Sequence, residues 1–283
     1  QNVAIIEGMN TITQPVGISF QALEKICPAA FSDSAAPHTS ERYSHVRTAD
    51  IVEKMLDSGF VIQNASQQKT QKRTAGNEQF QKHRITMRMP GDFGQSLDLG
   101  SVFPTVDLIN SGNWSSKFLM ALGLYRLICT NGMVAPVGDQ AHTVNVRHNN
   151  INDDVMRAMD TAIASAPSLV DFADRAANAD LSDNAITEYV TAAARLRWNF
   201  EKDESPSEAH LTGLGHARRI EDNKTDLWHT FNRVQENGTR GGFLIPDSSG
   251  KMRRSREVTN IAADTAWNQN LWSLTQSWID RMN

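Results

Sequence analysis

Cysteine is scarce in this chain: Cys27 and Cys129 are the two in 283 residues. Two thiols cannot build the disulfide framework on which small secreted domains rely, and they fit a reducing cytoplasm. Long apolar runs are missing as well. The most apolar stretch, Phe118 to Val137, is interrupted by Arg126, Asn131 and Pro136. It therefore does not read as a membrane span. No secretory signal is expected at the front. A Gly-x-Ser-x-Gly elbow is absent, and neither cysteine has a histidine nearby in sequence, which argues against a nucleophilic hydrolase. No Gly-x4-Gly-Lys-Ser/Thr phosphate loop occurs. Metal-ligand spacings are missing too. His142 and His148 share one face of an expected strand but stand about 20 Å apart at strand rise. His210 and His216 flank Gly213 and Gly215 without a convincing partner. No catalytic residue, metal ligand or cofactor is assigned on these grounds. There is also no internal repeat and no low-complexity tract.

What is present is an ordinary globular composition, with 40% hydrophobic and 21% charged residues. The length suffices for one large or two modest domains with an ample core. The net charge of −4 conceals an asymmetry. Lys69 to Arg88 carries six Lys/Arg and one acid. Ile151 to Tyr189 carries eight acids and two Arg. Lys251 to Arg256 has four basic residues of six. The overall acidity argues against a non-specific nucleic-acid coat protein, while local basic segments permit a nucleic-acid groove.

The hydrophobic periodicity switches along the chain. Residues 1–41 read as an extended lead-in. A helix is expected over Thr48–Ser58, closed by Gly59. Phe60–Ala65 reads as a strand and 66–81 as a polar, basic hairpin loop. In Arg84–Met89, Ile85, Met87 and Met89 point one way and Arg84, Thr86 and Arg88 the other. Val102–Ile109 and His142–His148 are further strands. Between them, Ser115 or Ser116 can cap a helix whose stripe is Phe118, Leu122, Tyr125 and Cys129, stopped at Asn131-Gly132. Arg126 on that element should have a carboxylate or carbonyl partner, because an unpaired charge near a core is costly.

After Asp153 the pattern is helical. Helices are expected from Asp153, from Ser168 and over Ser182–Trp198, with an acidic linker at 201–210. A further helix spans Asp226–Asn237, capped by Thr225. A Gly-rich basic loop or hairpin covers 238–254, and a last helix runs from about Arg256 to Met282. The fold class is α+β: an antiparallel sheet with helices on one face, over an α+β core of residues 42–150. A mainly helical half, residues 151–283, packs on that core.

The stretch from Leu108 to Val134, with Asn110-Ser111, Arg126-Leu-Ile-Cys129 and Asn131-Gly132, resembles the signature of the domain-of-unknown-function 932 family, often labelled "phage/plasmid-like protein". Arg42-Tyr-Ser-His-Val-Arg-Thr48, the helix ending at Gly59-Phe60, Asp226-Leu-Trp-His-Thr-Phe-Asn-Arg-Val-Gln-Glu-Asn237 and Arg240-Gly-Gly242 are similar to the family's other motifs. The resemblance spans about Arg42 to Gly242. Members commonly have His-Asp-Gly-type residues where this chain has Gly112-Asn113-Trp114, so no catalytic His is implied there. Residence on a mobile element is implied. The helix–strand core also resembles, loosely, annealing proteins of the RecT/ERF type.

Two groups of residues are site candidates. Lys69, Lys72, Arg73, Lys82, Arg84, Arg88, Arg147, Arg253 and Arg254 form the candidate nucleic-acid contact, because several cations along a groove are what a phosphate backbone requires. Asp226, Trp228, Asn232, Gln235 and Glu236 crowd one helix, either as a polar site or as a buried network that fixes helix packing. Trp267, Leu271, Leu274 and Trp278 form a stripe on the last helix, which suggests a homo-oligomer. The preferred reading is a cytoplasmic phage- or plasmid-type accessory protein of DNA metabolism. It binds nucleic acid, single-stranded DNA favoured, on a basic sheet face and does no chemistry of its own, in the manner of annealing or recombination proteins. The alternative is a protein-binding module that counteracts a host defence or replication component. A nuclease-type enzyme ranks third, for want of an acid/His cluster.

Overall fold

The computed structural model describes residues 17–39, 45–70, 76–91, 102–113, 115, 118–126, 131–134, 151–200 and 204–282. Lys72, Arg73, Cys129, Arg147 and the expected strand at 142–148 lie outside the described residues. The first half is an antiparallel five-stranded sheet in the order β1-β2-β3-β4-β5. Its strands are β1 (Val61–Gln67), β2 (His83–Arg88), β3 (Val102–Asn110), β4 (Leu119–Arg126) and β5 (Asn131–Val134). Each strand pairs with its sequence neighbour. Two helices precede the sheet, α1 (Phe20–Ile26) and α2 (Thr48–Asp57). The second half is mainly helical: α3 (Ile151–Ala177), α4 (Asp183–Trp198), α5 (Glu208–Gly215), α6 (Leu227–Arg240) and α7 (Ile261–Met282), with a small hairpin of β6 (Leu244–Pro246) and β7 (Met252–Arg254).

The sheet forms where alternation is clean. Ile85 of β2 stands opposite Ala65 and Leu108, and Met87 stands opposite Ile62 and Val106. Val106 and Leu108 in turn stand opposite Leu122 and Met120 of β4. Directly opposed residues share a face, so these side chains make a continuous apolar layer. Ala158 and Ala162 of α3 meet Val106, Met120 and Leu122 from above it.

The helix expected through Phe118–Cys129 is not there over the described residues 118–126. Residues 119–126 are the strand β4, and Asn131-Gly132 pairs with Tyr125 and Arg126 rather than ending a helix. The reason is burial on both sides. Met120, Leu122 and Leu124 are buried on one face, Ala121 and Tyr125 on the other. A strand buried on both faces carries an unbroken apolar run and loses its period of two. Any three- or four-residue spacing can then be picked out of it. The burial expected of Phe118 and Leu122 does hold, and Arg126 has the carboxylate partner expected of it, donating to Asp222 at 2.5 Å.

α3 runs unbroken through Pro167, where a new helix was expected near Ser168. Ala162, Ala166, Leu169, Phe172, Ala173 and Ala176 continue one buried face across the proline. Packing along that face outweighs the lost hydrogen bond. α6 is the axis of the helical half, buried at every residue from Leu227 to Gly238. Its cap is Asp226, whose Oδ1 accepts from the His229 N–H at 2.9 Å, one residue beyond the Thr225 expected. α7 lies against it. The Trp267 ring passes so close to Gly238 that a Cβ there would stand 2.3 Å from it. Trp272 stacks on Phe172 at 3.8 Å, and the Tyr189 hydroxyl meets Thr275 at 2.7 Å. Trp267 and Leu271 are buried, and Leu274 and Trp278 pack against the core of the same chain.

Candidate functional site: an arginine-lined cleft

The expected basic sheet face is not open to solvent. Arg84 donates to Asp264 at 2.6 Å and to Thr265 at 2.7 Å on α7. Its Nε lies 3.7 Å from Asp107 Oδ2 on β3, and Asp107 accepts from Thr86 at 2.6 Å. Burial pushes the Asp107 carboxyl above its ordinary range, with Arg84 pulling the other way. Arg88 is buried and lies over the Phe103 ring at 5.2 Å. Arg84 and Arg88 do share a face, as the alternation required. That face is a packing surface, because the start of α7 closes over it at Arg84. Lys69 is exposed and Lys82 half-buried.

Nor do the polar residues of α6 converge. Asp226 caps the helix and holds His229 Nδ1 at 2.8 Å. Those hydrogen bonds outweigh burial and keep its carboxyl below the usual range. Trp228 is fully buried, Asn232 donates back to the Trp228 carbonyl at 2.7 Å, and Gln235 donates to Asn268 of α7 at 2.8 Å. Gln235 thus ties α6 to α7, Asn232 bonds within its own helix, and Trp228 belongs to the hydrophobic core. Glu236, at the other end of the helix, belongs to a different cluster.

That cluster lines an open cleft of ≈ 860 Å³. It forms where the C-terminal turn of α6, the end of α5 and the root of the β6–β7 hairpin meet. Arg218, Arg219, Arg240 and Arg254 line it, with Phe243, His216, Asn237 and the buried Glu236. Arg219 holds Glu236 with both Nη atoms, the Nη2–Oε1 bond at 2.7 Å, and Arg240 Nη1 lies 3.1 Å from the same Oε1. Arg218 donates to Asn237 Oδ1 at 2.5 Å and to the Gly241 carbonyl at 2.8 Å. Arg254 donates to the Gly242 carbonyl at 2.8 Å.

The chain leaves α6 through Gly241, at φ +59°, with the Ser255 carbonyl 2.7 Å from where a Cβ would sit. Only glycine takes that conformation in that space. It brings the hairpin root, and Arg254 with it, back beside α6. Arg219 also reaches Asp222 at 3.3 Å, and Asp222 holds Arg126. The cleft is thus rooted in a buried ionic chain that begins on β4.

Of the candidate residues, Glu236 and Arg254 line this cleft. Arg253, two-thirds exposed in its side chain, pairs with Asp247 at 2.5 Å on the hairpin. Arg218, Arg219, Asn237 and Phe243 went unrecognised from sequence. The adjacent Arg218-Arg219 pair, and its distance of seventeen residues from Glu236, carried no local pattern. The one visible signal was Arg240-Gly-Gly242. Among the described residues, no three His, Cys, Asp or Glu side chains are placed to hold a metal ion. No helix there is long and apolar enough to cross a membrane.

Residues 37–272 match the family described as Domain of unknown function (DUF932). The chain belongs to this family. All the cleft residues fall within the matched region. The UPF0380 protein YafZ of Escherichia coli (strain K12) is 27% identical over 276 residues, covering 96% of each chain. The UPF0380 protein YfjQ of the same organism is 26% identical over the same share. No solved structure matches. Glu236, Asn237, Arg240, Gly241 and Gly242, inside the matched region, line this one cationic cleft.

Proposed function

We propose that this DUF932 protein is a cytoplasmic accessory protein of a mobile element that binds single-stranded nucleic acid, with the arginine-lined cleft as the contact. One observation carries the reading. Among the described residues, four guanidiniums line a cavity with a single carboxylate, Glu236, and a half-buried aromatic ring, Phe243, stands in the same wall. Arginine forks match phosphate oxygens bidentately. An aromatic face beside them offers stacking that any base can use. On a chain of net charge −4 such a cationic cluster is a local feature, as expected of a binding site rather than a coating protein.

Fluorescence anisotropy with labelled single-stranded oligonucleotides over a range of salt tests this reading. Binding should weaken as salt rises, with a log–log slope of about −0.7 for each phosphate contacted. Arg218→Ala and Arg254→Ala should each flatten the slope by about that amount, uniformly across sequences. Both side chains stand at the rim, so circular dichroism should be unchanged. Binding that is absent at low salt, or unaltered in both variants, overturns the assignment of nucleic acid to this cleft.

A further inference from the structure

The arginines of the cleft are concentrated rather than spread along a track. Arg219 and Arg240 share the carboxylate of Glu236, Arg218 is held by Asn237 and the Gly241 carbonyl, and Arg254 by the Gly242 carbonyl. Every one of these anchors lies between Glu236 and Gly242, the last turn of α6 and its glycine exit. Among the described residues, Arg126, Arg219 and Arg240 pair with the carboxylates of Asp222 and Glu236, while Arg218 and Arg254 are held by neutral oxygens. In the cleft lining itself, Arg218, Arg219, Arg240 and Arg254 against Glu236 leave a local excess of three positive charges.

A nucleic-acid strand presents one negative charge per phosphodiester, strung out along its length. A single diester does not neutralise this excess. A phosphomonoester carries about −1.5 to −2 at neutral pH and three terminal oxygens, each able to accept several N–H bonds. Arg218 donates from Nε and Nη2, and Arg254 from Nη1, to the protein. Each guanidinium has five N–H groups in a fixed plane. The anchoring bonds set the direction of those planes and leave donors on both side chains for a ligand, so little ordering remains for binding to supply. Phe243 stands in the same wall, and its ring is itself held edge-on by Trp198 at 6.0 Å. A base attached to the phosphate would have this ring in the same wall to pack against.

We infer that the cleft is a receptor for a nucleotide phosphomonoester, carried either on the phosphorylated end of a strand or by a free nucleotide. The inference rests on the cleft being the nucleic-acid contact and narrows what it takes.

The test is a competition series on the full chain at about 150 mM salt. One labelled single-stranded 12-mer is prepared with a 5′-phosphate, with a 3′-phosphate and with hydroxyls at both ends. Adenosine monophosphate and inorganic phosphate serve as unlabelled competitors. A phosphorylated end should bind about tenfold more tightly than the hydroxyl strand, the gain expected from one charge-assisted contact. If the strand end is the natural source, this preference appears with weak displacement by the mononucleotide. If the free nucleotide is the source, the mononucleotide binds and inorganic phosphate displaces it at least tenfold less well. Either result should vanish in the Arg218→Ala, Arg254→Ala double variant.

Equal binding of all three strands, lost in that double variant, with no binding of the mononucleotide, overturns this inference. The broader nucleic-acid reading survives that result. Binding of no oligonucleotide and no mononucleotide overturns both. Where the mononucleotide binds and the strands show no preference for a phosphorylated end, displacement by inorganic phosphate as effective as by the mononucleotide also overturns it, because the ring of Phe243 then contributes nothing.

Discussion

Arg84 ties the sheet to the last helix, and removing it measures that tie. Its guanidinium donates to Asp264 at 2.6 Å, to Thr265 at 2.7 Å and to the Ile261 carbonyl at 3.1 Å, and its Nε lies 3.7 Å from Asp107. The side chains of Arg84, Asp107 and Asp264 are 13%, 4% and 13% exposed. Arg84→Met keeps the length of the stem and deletes the charge. Two buried carboxylates then face each other without a cation, and breaking a buried pair in this way costs about 3–5 kcal/mol. Burial already raises the Asp107 carboxyl while Arg84 opposes it. Without Arg84 the folded-state value climbs further above the unfolded one. The folded variant then binds more protons than the unfolded chain, so its stability falls as pH rises and recovers as pH drops.

The assay is urea unfolding of both proteins at pH 7 and pH 5, taking the difference at each pH so that His83 and other shared groups cancel. The expected loss is about 3–5 kcal/mol at pH 7 and smaller at pH 5. Arg84→Glu, harmless had this face been wet, should be worse than Arg84→Met at pH 7. A loss below about 0.5 kcal/mol, the scale of a surface substitution, or a difference that ignores pH, refutes the buried-pair account.

Three further outcomes are expected. His83 is buried against Thr48 at 2.9 Å, and burial pushes its imidazole down to about 4 from its ordinary 6.5. The unfolded chain therefore takes up the proton first. Wild-type stability should fall by up to about 3 kcal/mol between pH 6.5 and pH 4, a drop that His83→Gln abolishes in urea titrations. Leu122→Ala, which deletes a buried side chain beneath α3, should cost about 2–5 kcal/mol in the same assay. Gly213→Ala would put a methyl carbon 2.0 Å from the Phe243 ring. It should destabilise by about 1–3 kcal/mol and weaken anion binding in the cleft, whereas an unaffected melting temperature would show that the ring is not held there.

Local periodicity was reliable where polar and apolar residues alternate along an element or a cap is clear. β2 alternates, and Ser182 caps α4 by accepting from the Ala185 N–H. The reading failed at β4, where both faces are buried and the alternation that marks a strand disappears. It also failed at Pro167, where the buried face of α3 outweighs a local helix breaker. The site divided in the same way. Arg254 and Glu236 were visible as charged residues in basic or polar segments. Their partners Arg218 and Arg219 were not, because the loop that carries them is brought to α6 only by the fold.

The amino-acid sequence alone determined the class, an antiparallel sheet followed by a helical half, since hydrophobic period is a property of neighbouring residues. It also determined that Arg84 and Arg88 share a face, since strand geometry fixes alternation. Only the tertiary structure decided whether that face was wet. Asp264 and Thr265 lie about 180 residues from Arg84, and no local pattern reports which distant helix closes over a strand. The same holds for the cleft. Arg218, Glu236, Arg240 and Arg254 become one site because Gly241 turns the chain back on itself and a buried carboxylate gathers guanidiniums from separate segments. Charge neutralisation in a low-dielectric interior acts through space, not along the chain.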